Sequence, residues 1–135
     1  MWQGRSYPPA VPVETGLSAE VELTVGEADT AAAMGSGDVP VLATPRVVAL
    51  CEAASMTAVR SSLAEGETTV GHTVQLDHVA PTRVGGRVRA KAELMKVEGR
   101  RLTFQVSAYD GRGLVAAGKI TRVIVTTERF LEKAH

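Results

Sequence analysis

One acidic residue lies inside an otherwise uncharged and mostly apolar segment of the chain. Glu52 is the only charged residue between Val47 and Val59. A segment that is apolar on nearly all sides predicts a buried helix rather than a surface helix. An ionised carboxylate is seldom buried without a partner. Glu52 is therefore a candidate nucleophile or general base, and the alternative is a structural carboxylate that binds a buried backbone donor.

Two more residues near this segment have side chains suited to the same chemistry. Thr44 precedes Pro45, a combination that predicts a helix N-cap followed by the first helical residue. His78 stands at the end of the strand predicted after the helix, where it can steer proton transfer or be a satisfied core histidine. Cys51 is a further candidate nucleophile, but apolar neighbours raise a thiol pKa, so an inert core cysteine is favoured.

The start of the predicted helix also offers main-chain donors. The N–H groups of Arg46 and Val47 belong to the first helical turn, whose donors lack intrahelical partners, and they predict an oxyanion site. Eight helical residues place the Cα atoms of Thr44 and Glu52 about 12 Å apart. Substrate, water or a residue of a second subunit therefore has to bridge these two side chains.

The remaining sequence predicts mainly antiparallel strands. Ser18 to Val25 alternates apolar and polar residues and predicts a strand with one wet face. The helix is expected to run from Thr44 to about Leu63. The other predicted elements are a glycine-containing loop at 31–38, strands at 68–77, 88–94, 102–108 and 114–125, and a short tail helix at 128–133. Residues 1–15 contain three prolines and predict an extended arm before a single domain at 16–135.

This order of elements predicts an α+β fold of the hotdog type, in which a curved antiparallel sheet wraps around one long central helix. A helix without a polar face, in a chain of 135 residues, has to be enclosed by the sheet. A ferredoxin-like or cystatin-like fold is the main alternative, although the helix in those folds usually has a polar side.

Composition excludes several classes of function. The chain has 15 basic residues (lysine plus arginine) and 15 acidic residues (aspartate plus glutamate), and aromatic residues make up 4% of it. We therefore expect no nucleic-acid binding. The longest apolar run is far too short to span a membrane. The N-terminus lacks the apolar core of a signal peptide, so a cytoplasmic protein is expected. A single cysteine excludes an internal disulfide and a cysteine-rich zinc site, and no metal is expected.

Several short motifs, in this order and spacing, resemble the fluoroacetyl-CoA thioesterase-like family of hotdog proteins. The resemblance covers roughly residues 43–125. Its motifs are Ala43-Thr44-Pro45, Cys51-Glu52-Ala53-Ala54, His78-Val79-Ala80-Pro81-Thr82, Val97-Glu98-Gly99-Arg100-Arg101-Leu102, Val106-Ser107-Ala108-Tyr109-Asp110-Gly111 and Gly118-Lys119-Ile120-Thr121-Arg122.

The resemblance implies an acyl-CoA thioesterase whose catalytic residues are Thr44, Glu52 and His78. It also implies that Gly71 and Arg122 line the acyl pocket, that CoA enters only as part of the substrate with no separate cofactor, and that the chain forms a homodimer or a higher oligomer. The fluoroacetyl-specific member has a phenylalanine gate before the helix, where this chain has about Asp38. We therefore do not expect fluoroacetyl specificity. A non-catalytic hotdog protein that binds a small ligand is the alternative function, and a hotdog dehydratase is a weaker one.

Overall fold

A computed structural model describes residues 11–135. Five strands form one sheet in the order β1-β3-β4-β5-β2, and every neighbouring pair is antiparallel. The helices and strands, in chain order, are β1 (Ser18–Thr24), α1 (Ala31–Met34), α2 (Thr44–Val59), β2 (Glu67–His78), β3 (Arg87–Glu98), β4 (Arg101–Asp110), β5 (Gly113–Thr126) and α3 (Thr127–Glu132). Helix α2 contacts all five strands, so the predicted hotdog fold is confirmed.

The core lies between α2 and one face of the sheet. Alternate residues of the central strands are buried, as their sequence pattern predicts. These buried residues are Val88, Ala90, Ala92, Leu94, Leu102, Phe104, Val106 and Ala108. Val47, Leu50 and Cys51 of α2 pack against them. Register shifts in the β2–β5 and β3–β4 pairs mark bulges, which bend strands and increase their twist.

Helix α2 differs from the sequence prediction in three respects. Its N-cap is Ala43, so Thr44 is the first helical residue rather than the cap, and a 3₁₀ turn replaces the α-helix after Val59. The helix is also not enclosed within one chain, since Thr44, Ala49 and Thr57 on its outer side are exposed. The prediction of a helix buried on all sides is thus wrong for the single chain, because one sheet covers only one side of a helix.

The remaining predicted segments can be compared with the structure over the described residues. The predicted 31–38 loop begins with the short helix α1, and the tail helix forms as α3, one residue earlier than expected. Residues 1–10 of the predicted arm lie outside the described part. Residues 11–15 have no helix or strand, and the carbonyl of Pro12 accepts a hydrogen bond from Ser62 Oγ at 3.3 Å. No helix within residues 11–135 is long and apolar enough to cross a membrane.

Candidate active site

Thr44 and His78 form a hydrogen-bonded pair where the start of α2 meets the end of β2. Thr44 Oγ1 lies 2.8 Å from His78 Nδ1. Burial lowers the pKa of the His78 imidazole, and the nearby main chain of Ala80 partly opposes this effect. The other ring nitrogen, Nε2, is buried and has no hydrogen-bond partner within the described residues. A neutral imidazole beside a hydroxyl is an arrangement that can accept or relay a proton.

The N–H groups expected to form an oxyanion site are already hydrogen bonded. Both Arg46 N–H and Val47 N–H donate to the Ala43 carbonyl at 3.0 Å, because the helix starts one residue earlier than predicted. The side chain of Arg46 points to another partner, with Nε 2.9 Å from Asp29 Oδ1. The Thr44 N–H has no hydrogen bond within the described residues and is the free donor of this turn.

Glu52 and Arg122 form the second pair of the site. Arg122 Nη1 donates to Glu52 Oε2 at 2.9 Å, and the Arg122 side chain is only 5% exposed, against 32% for Glu52. Thr69 binds the rest of the guanidinium. The Thr69 hydroxyl accepts a hydrogen bond from Arg122 Nε at 2.9 Å, and the Thr69 carbonyl accepts one from Arg122 Nη2 at 2.8 Å. Burial lowers the pKa of Arg122, and the charge of Glu52 opposes this. Glu52 is therefore only partly buried, whereas the sequence predicts a buried residue. The partner that the sequence predicts for this carboxylate is present, and it is Arg122.

Gly71 leaves the space that the Glu52 carboxylate occupies. A Cβ at residue 71 would lie 2.6 Å from Glu52 Oε2 and 3.5 Å from Arg122 Nη1. No side chain fits there unless the carboxylate moves. Gly71 pairs with Arg122 across the β2–β5 register, which explains why these residues meet although 51 positions separate them in the sequence.

The sequence prediction missed Thr69. Its side chain is buried and holds the guanidinium of Arg122. The residue belongs to a run of polar residues, Glu67-Thr68-Thr69, which gives no indication of which member faces the core. Only the sheet register, in which Thr69 pairs with Ile124, determines which of these side chains points into the core.

The structure does not join the two pairs within one chain. No hydrogen bond within residues 11–135 connects Thr44 or His78 to Glu52 or Arg122. Residues 71 and 78 are seven positions apart on β2, or about 23 Å along an extended strand. The predicted catalytic residues thus form two separate pairs, one beside the middle of β2 and one at its carboxyl-terminal end. Within the described residues, the outer edge of this strand has no neighbour in the sheet.

A cavity of about 320 Å³ opens beside the Thr44–His78 pair. Asp38 and Val39 line it from the segment before α2, and Val79 lines it from beyond β2. Asp38 is the residue that stands at about the place of the aromatic gate, and it is exposed. The cavity wall therefore lacks an aromatic ring at this position.

The fold belongs to the hotdog class, and its carboxylate–arginine pair, threonine–histidine pair and cavity are groups that thioester hydrolysis can use. The profile of the fluoroacetyl-CoA-specific thioesterase family matches residues 25–128. The chain belongs to this family of acyl-CoA thioesterases, and it is a thioester hydrolase.

Individual relatives agree with this assignment. The fluoroacetyl-CoA thioesterase of Streptantibioticus cattleyicolor is 39% identical over 95 residues, which cover 70% of this chain and 68% of that protein. The solved structure of the fluoroacetyl-CoA thioesterase FlK superposes with a TM-score of 0.86 at 31% identity, covering 91% of this chain and 96% of that one. Variants of that enzyme have been solved with acetyl-CoA and with fluoroacetate and CoA. A thioesterase superfamily member from Thermus thermophilus gives a TM-score of 0.82 at 32% identity, covering 90% of each chain.

Proposed function

We propose that the protein hydrolyses small acyl-CoA thioesters to the free acid and CoA, with Glu52 as the reacting carboxylate. The observation that carries this proposal is the fixed position of Glu52. Arg122 holds one carboxylate oxygen, Oε2, and Gly71 leaves room for the group. The second oxygen, Oε1, has no hydrogen bond within the described residues and is free to react. The expected cytoplasmic location remains a prediction.

Two routes from this carboxylate give the same products. In the first, Oε1 attacks the thioester carbonyl, the C–S bond breaks, and CoA leaves as a thiolate from a mixed anhydride with Glu52. Water then cleaves the anhydride and restores the carboxylate. In the second, Glu52 removes a proton from water, and the resulting hydroxide attacks the carbonyl. The C–S bond then breaks, CoA leaves as a thiolate, and the proton passes from Glu52 to the thiolate. Because a thiolate is a good leaving group, neither route needs a strong general acid.

The Thr44–His78 pair supplies the remaining functions. The Thr44 N–H, which is free at the positive end of α2, can donate to the oxygen of the tetrahedral intermediate. The Thr44 hydroxyl and the neutral His78 imidazole can move the proton that the departing thiolate or the water requires. Thr44 therefore replaces Arg46 and Val47 as the proposed oxyanion donor.

We also propose that the active site is completed in a homodimer. Strand β2 is 12 residues long, and the N–H and C=O groups of about every second residue point away from β5 without a strand partner in the described part of the chain, which favours addition of another strand. If two β2 strands pair antiparallel about a twofold axis between Val74 and Gln75, residue 78 of one chain faces residue 71 of the other. The Thr44–His78 pair of one protomer then approaches the Glu52–Arg122 pair of its partner.

Subunit mixing tests this shared site. His78→Ala and Glu52→Gln chains are each expected to be inactive as homodimers. When the two variants are unfolded and refolded together in equal amounts, heterodimers regain one intact site, and about a quarter of the parental activity should return. Mixed chains that stay inactive, or a parent that is monomeric by light scattering, would contradict the shared site.

Free-thiol release from a panel of acyl-CoA thioesters tests the function itself. We expect turnover of several short acyl-CoAs. Binding of these thioesters without thiol release would instead identify a non-catalytic ligand-binding protein.

A further inference from the structure

A second cavity lies next to the one at the Thr44–His78 pair. Its volume is about 690 Å³, which is within the range of small-molecule sites. Val39, Val41 and Pro81 line both cavities, so the two are neighbours, and together they are called the groove here. The far end of this groove lies between the loop after β2, the start of β3 and the turn that joins β4 to β5.

Three arginines surround the far end of the groove. They are Arg83, Arg87 and Arg112, and each is exposed. Within residues 11–135, no ion pair involves Arg83 or Arg112, whereas Arg87 makes one long contact of 3.6 Å with Glu22. The groove therefore presents cationic groups with little competition from neighbouring acids.

One acidic residue, Asp110, also lines the far end, but both of its oxygens are engaged. Oδ2 accepts a hydrogen bond from Thr82 Oγ1 at 2.8 Å, and Oδ1 accepts one from Arg112 N–H at 2.8 Å. These bonds fix the turn that carries Arg112. Asp110 thus positions the turn that carries one arginine of the cluster. The three arginines outnumber the two carboxylates that line the groove, Asp110 and Asp38, so its lining has an excess of positive charge.

We infer that Arg83, Arg87 and Arg112 bind the phosphate groups of the nucleotide end of CoA. This inference rests on the proposed function, since an acyl-CoA has its thioester at one end and a phosphorylated adenosine at the other. Guanidinium groups match phosphate oxygens in charge and geometry. The apolar wall formed by Val39, Val41 and Pro81 then contacts the uncharged pantetheine arm, which leads the thioester to Thr44 and His78.

Binding of free CoA, measured by calorimetry, tests the assignment without depending on turnover. The probe ligands are CoA and pantetheine. The test variant combines Arg83→Ala, Arg87→Ala and Arg112→Ala. The matched control is Arg101→Ala, which removes an exposed arginine on β4 that does not line the groove.

We expect about a fivefold loss of CoA affinity for each arginine removed and roughly a hundredfold loss for the triple variant. Pantetheine, which has no phosphate, should bind the triple variant and the parent equally. Salt should weaken CoA binding by the parent and have much less effect on the triple variant. The Arg101→Ala control should bind CoA with parental affinity.

A triple variant that binds CoA as tightly as the parent would overturn the assignment, as would equal losses for CoA and pantetheine. If the expected CoA binding pattern is found while the parent releases no thiol from acyl-CoA, the nucleotide site stands and the proposed hydrolysis fails.

Discussion

Arg122 and Glu52 lie 2.9 Å apart, from Nη1 to Oε2, although 70 positions separate them in the sequence. Each side chain depends on the other. The buried guanidinium of Arg122 needs an anionic partner, and the carboxylate of Glu52 needs a fixed orientation. Removing the Glu52 side chain would leave Arg122 as a buried unpaired charge. A substitution that tests the chemistry of Glu52 must therefore keep an acceptor for Arg122, which glutamine does and alanine does not.

Gly71→Ala should reduce turnover without unfolding the protein. The added methyl group would lie 2.6 Å from Glu52 Oε2, and the flexible carboxylate can yield where backbone could not. Displacement of a reacting group by about 1 Å can cost up to about a hundredfold in rate, so we expect kcat to fall roughly 10- to 100-fold. Thermal unfolding should show a melting temperature close to that of the parent.

Gly26→Ala is the control for this substitution. Gly26 has φ −106°, which any residue adopts, and a Cβ there would make an ordinary contact of 3.5 Å. Gly26→Ala should keep parental kcat. Parental kcat in Gly71→Ala would show that the position of Glu52 does not limit the reaction.

Cys51 should be dispensable for catalysis. Burial, with a smaller contribution from the charge of Glu52, raises its thiol pKa to about 11, so the thiolate is scarce at neutral pH. We expect Cys51→Ala to keep kcat/KM within about twofold and to lose roughly 1 kcal/mol of stability through the small cavity it creates. Iodoacetamide should not inactivate the folded parent. Rapid inactivation that the Cys51→Ala variant escapes would show a reactive thiol.

His78 should make stability depend on pH below about 6.5. Burial lowers its pKa in the folded protein, whereas the unfolded chain titrates near the ordinary value of about 6.5. Between these two pKa values the unfolded state binds more protons, so the free energy of unfolding rises with pH across the window and levels off above about 6.5. The acidic limb of kcat/KM should accordingly lie below about pH 6.5.

Denaturant unfolding at a series of pH values measures this effect. His78→Gln should reduce the slope below pH 6.5. His72→Gln, which replaces an exposed histidine on the same strand, is the control for the loss of an imidazole. An unchanged slope in His78→Gln would mean that the burial of His78 does not govern the pH dependence.

Much of the fold could be predicted from local patterns. The alternation in β3 and β4 identifies the buried residues correctly, because a strand with one covered face imposes a period of two on its sequence. The predicted helix start differs from the observed one by one residue, because Thr44 and Pro45 are compatible both with an N-cap and with the first turn. This difference matters for the site, because the N–H groups of Arg46 and Val47 are hydrogen bonded and the N–H group of Thr44 is the free donor instead.

The sequence identified the types of the site residues but not their partners. A lone carboxylate in an apolar segment predicts a partner of unspecified kind, and only the family resemblance points to Arg122 as a residue of the site. The contact depends on the register that places Gly71 opposite Arg122, and Thr69 enters the site through the same register. Register is a property of strand pairing, which no single segment encodes. The separation of the site into two pairs likewise became visible only in three dimensions.

The acyl group should be weakly discriminated. Asp38, rather than an aromatic ring, lines the cavity beside Thr44 and His78. A single small substituent in an apolar pocket distinguishes substrates by about 1–3 kcal/mol. The kcat/KM values for fluoroacetyl-CoA and acetyl-CoA should therefore differ by no more than about 200-fold. A preference of many thousandfold for the fluorinated thioester would require a selective group other than an aromatic gate.

The central claim is that the Glu52 carboxylate carries the hydrolysis, and the turnover of Glu52→Gln on acetyl-CoA tests it most directly. Glutamine keeps an acceptor for Arg122 but removes the nucleophile or base, so we predict a folded protein with kcat at least about a hundredfold below the parent. Glu67→Gln, which alters another carboxylate paired with an arginine, Arg100 at 3.4 Å, should keep parental turnover. Parental turnover in a folded Glu52→Gln protein would make Glu52 a structural partner of Arg122 and contradict the mechanism.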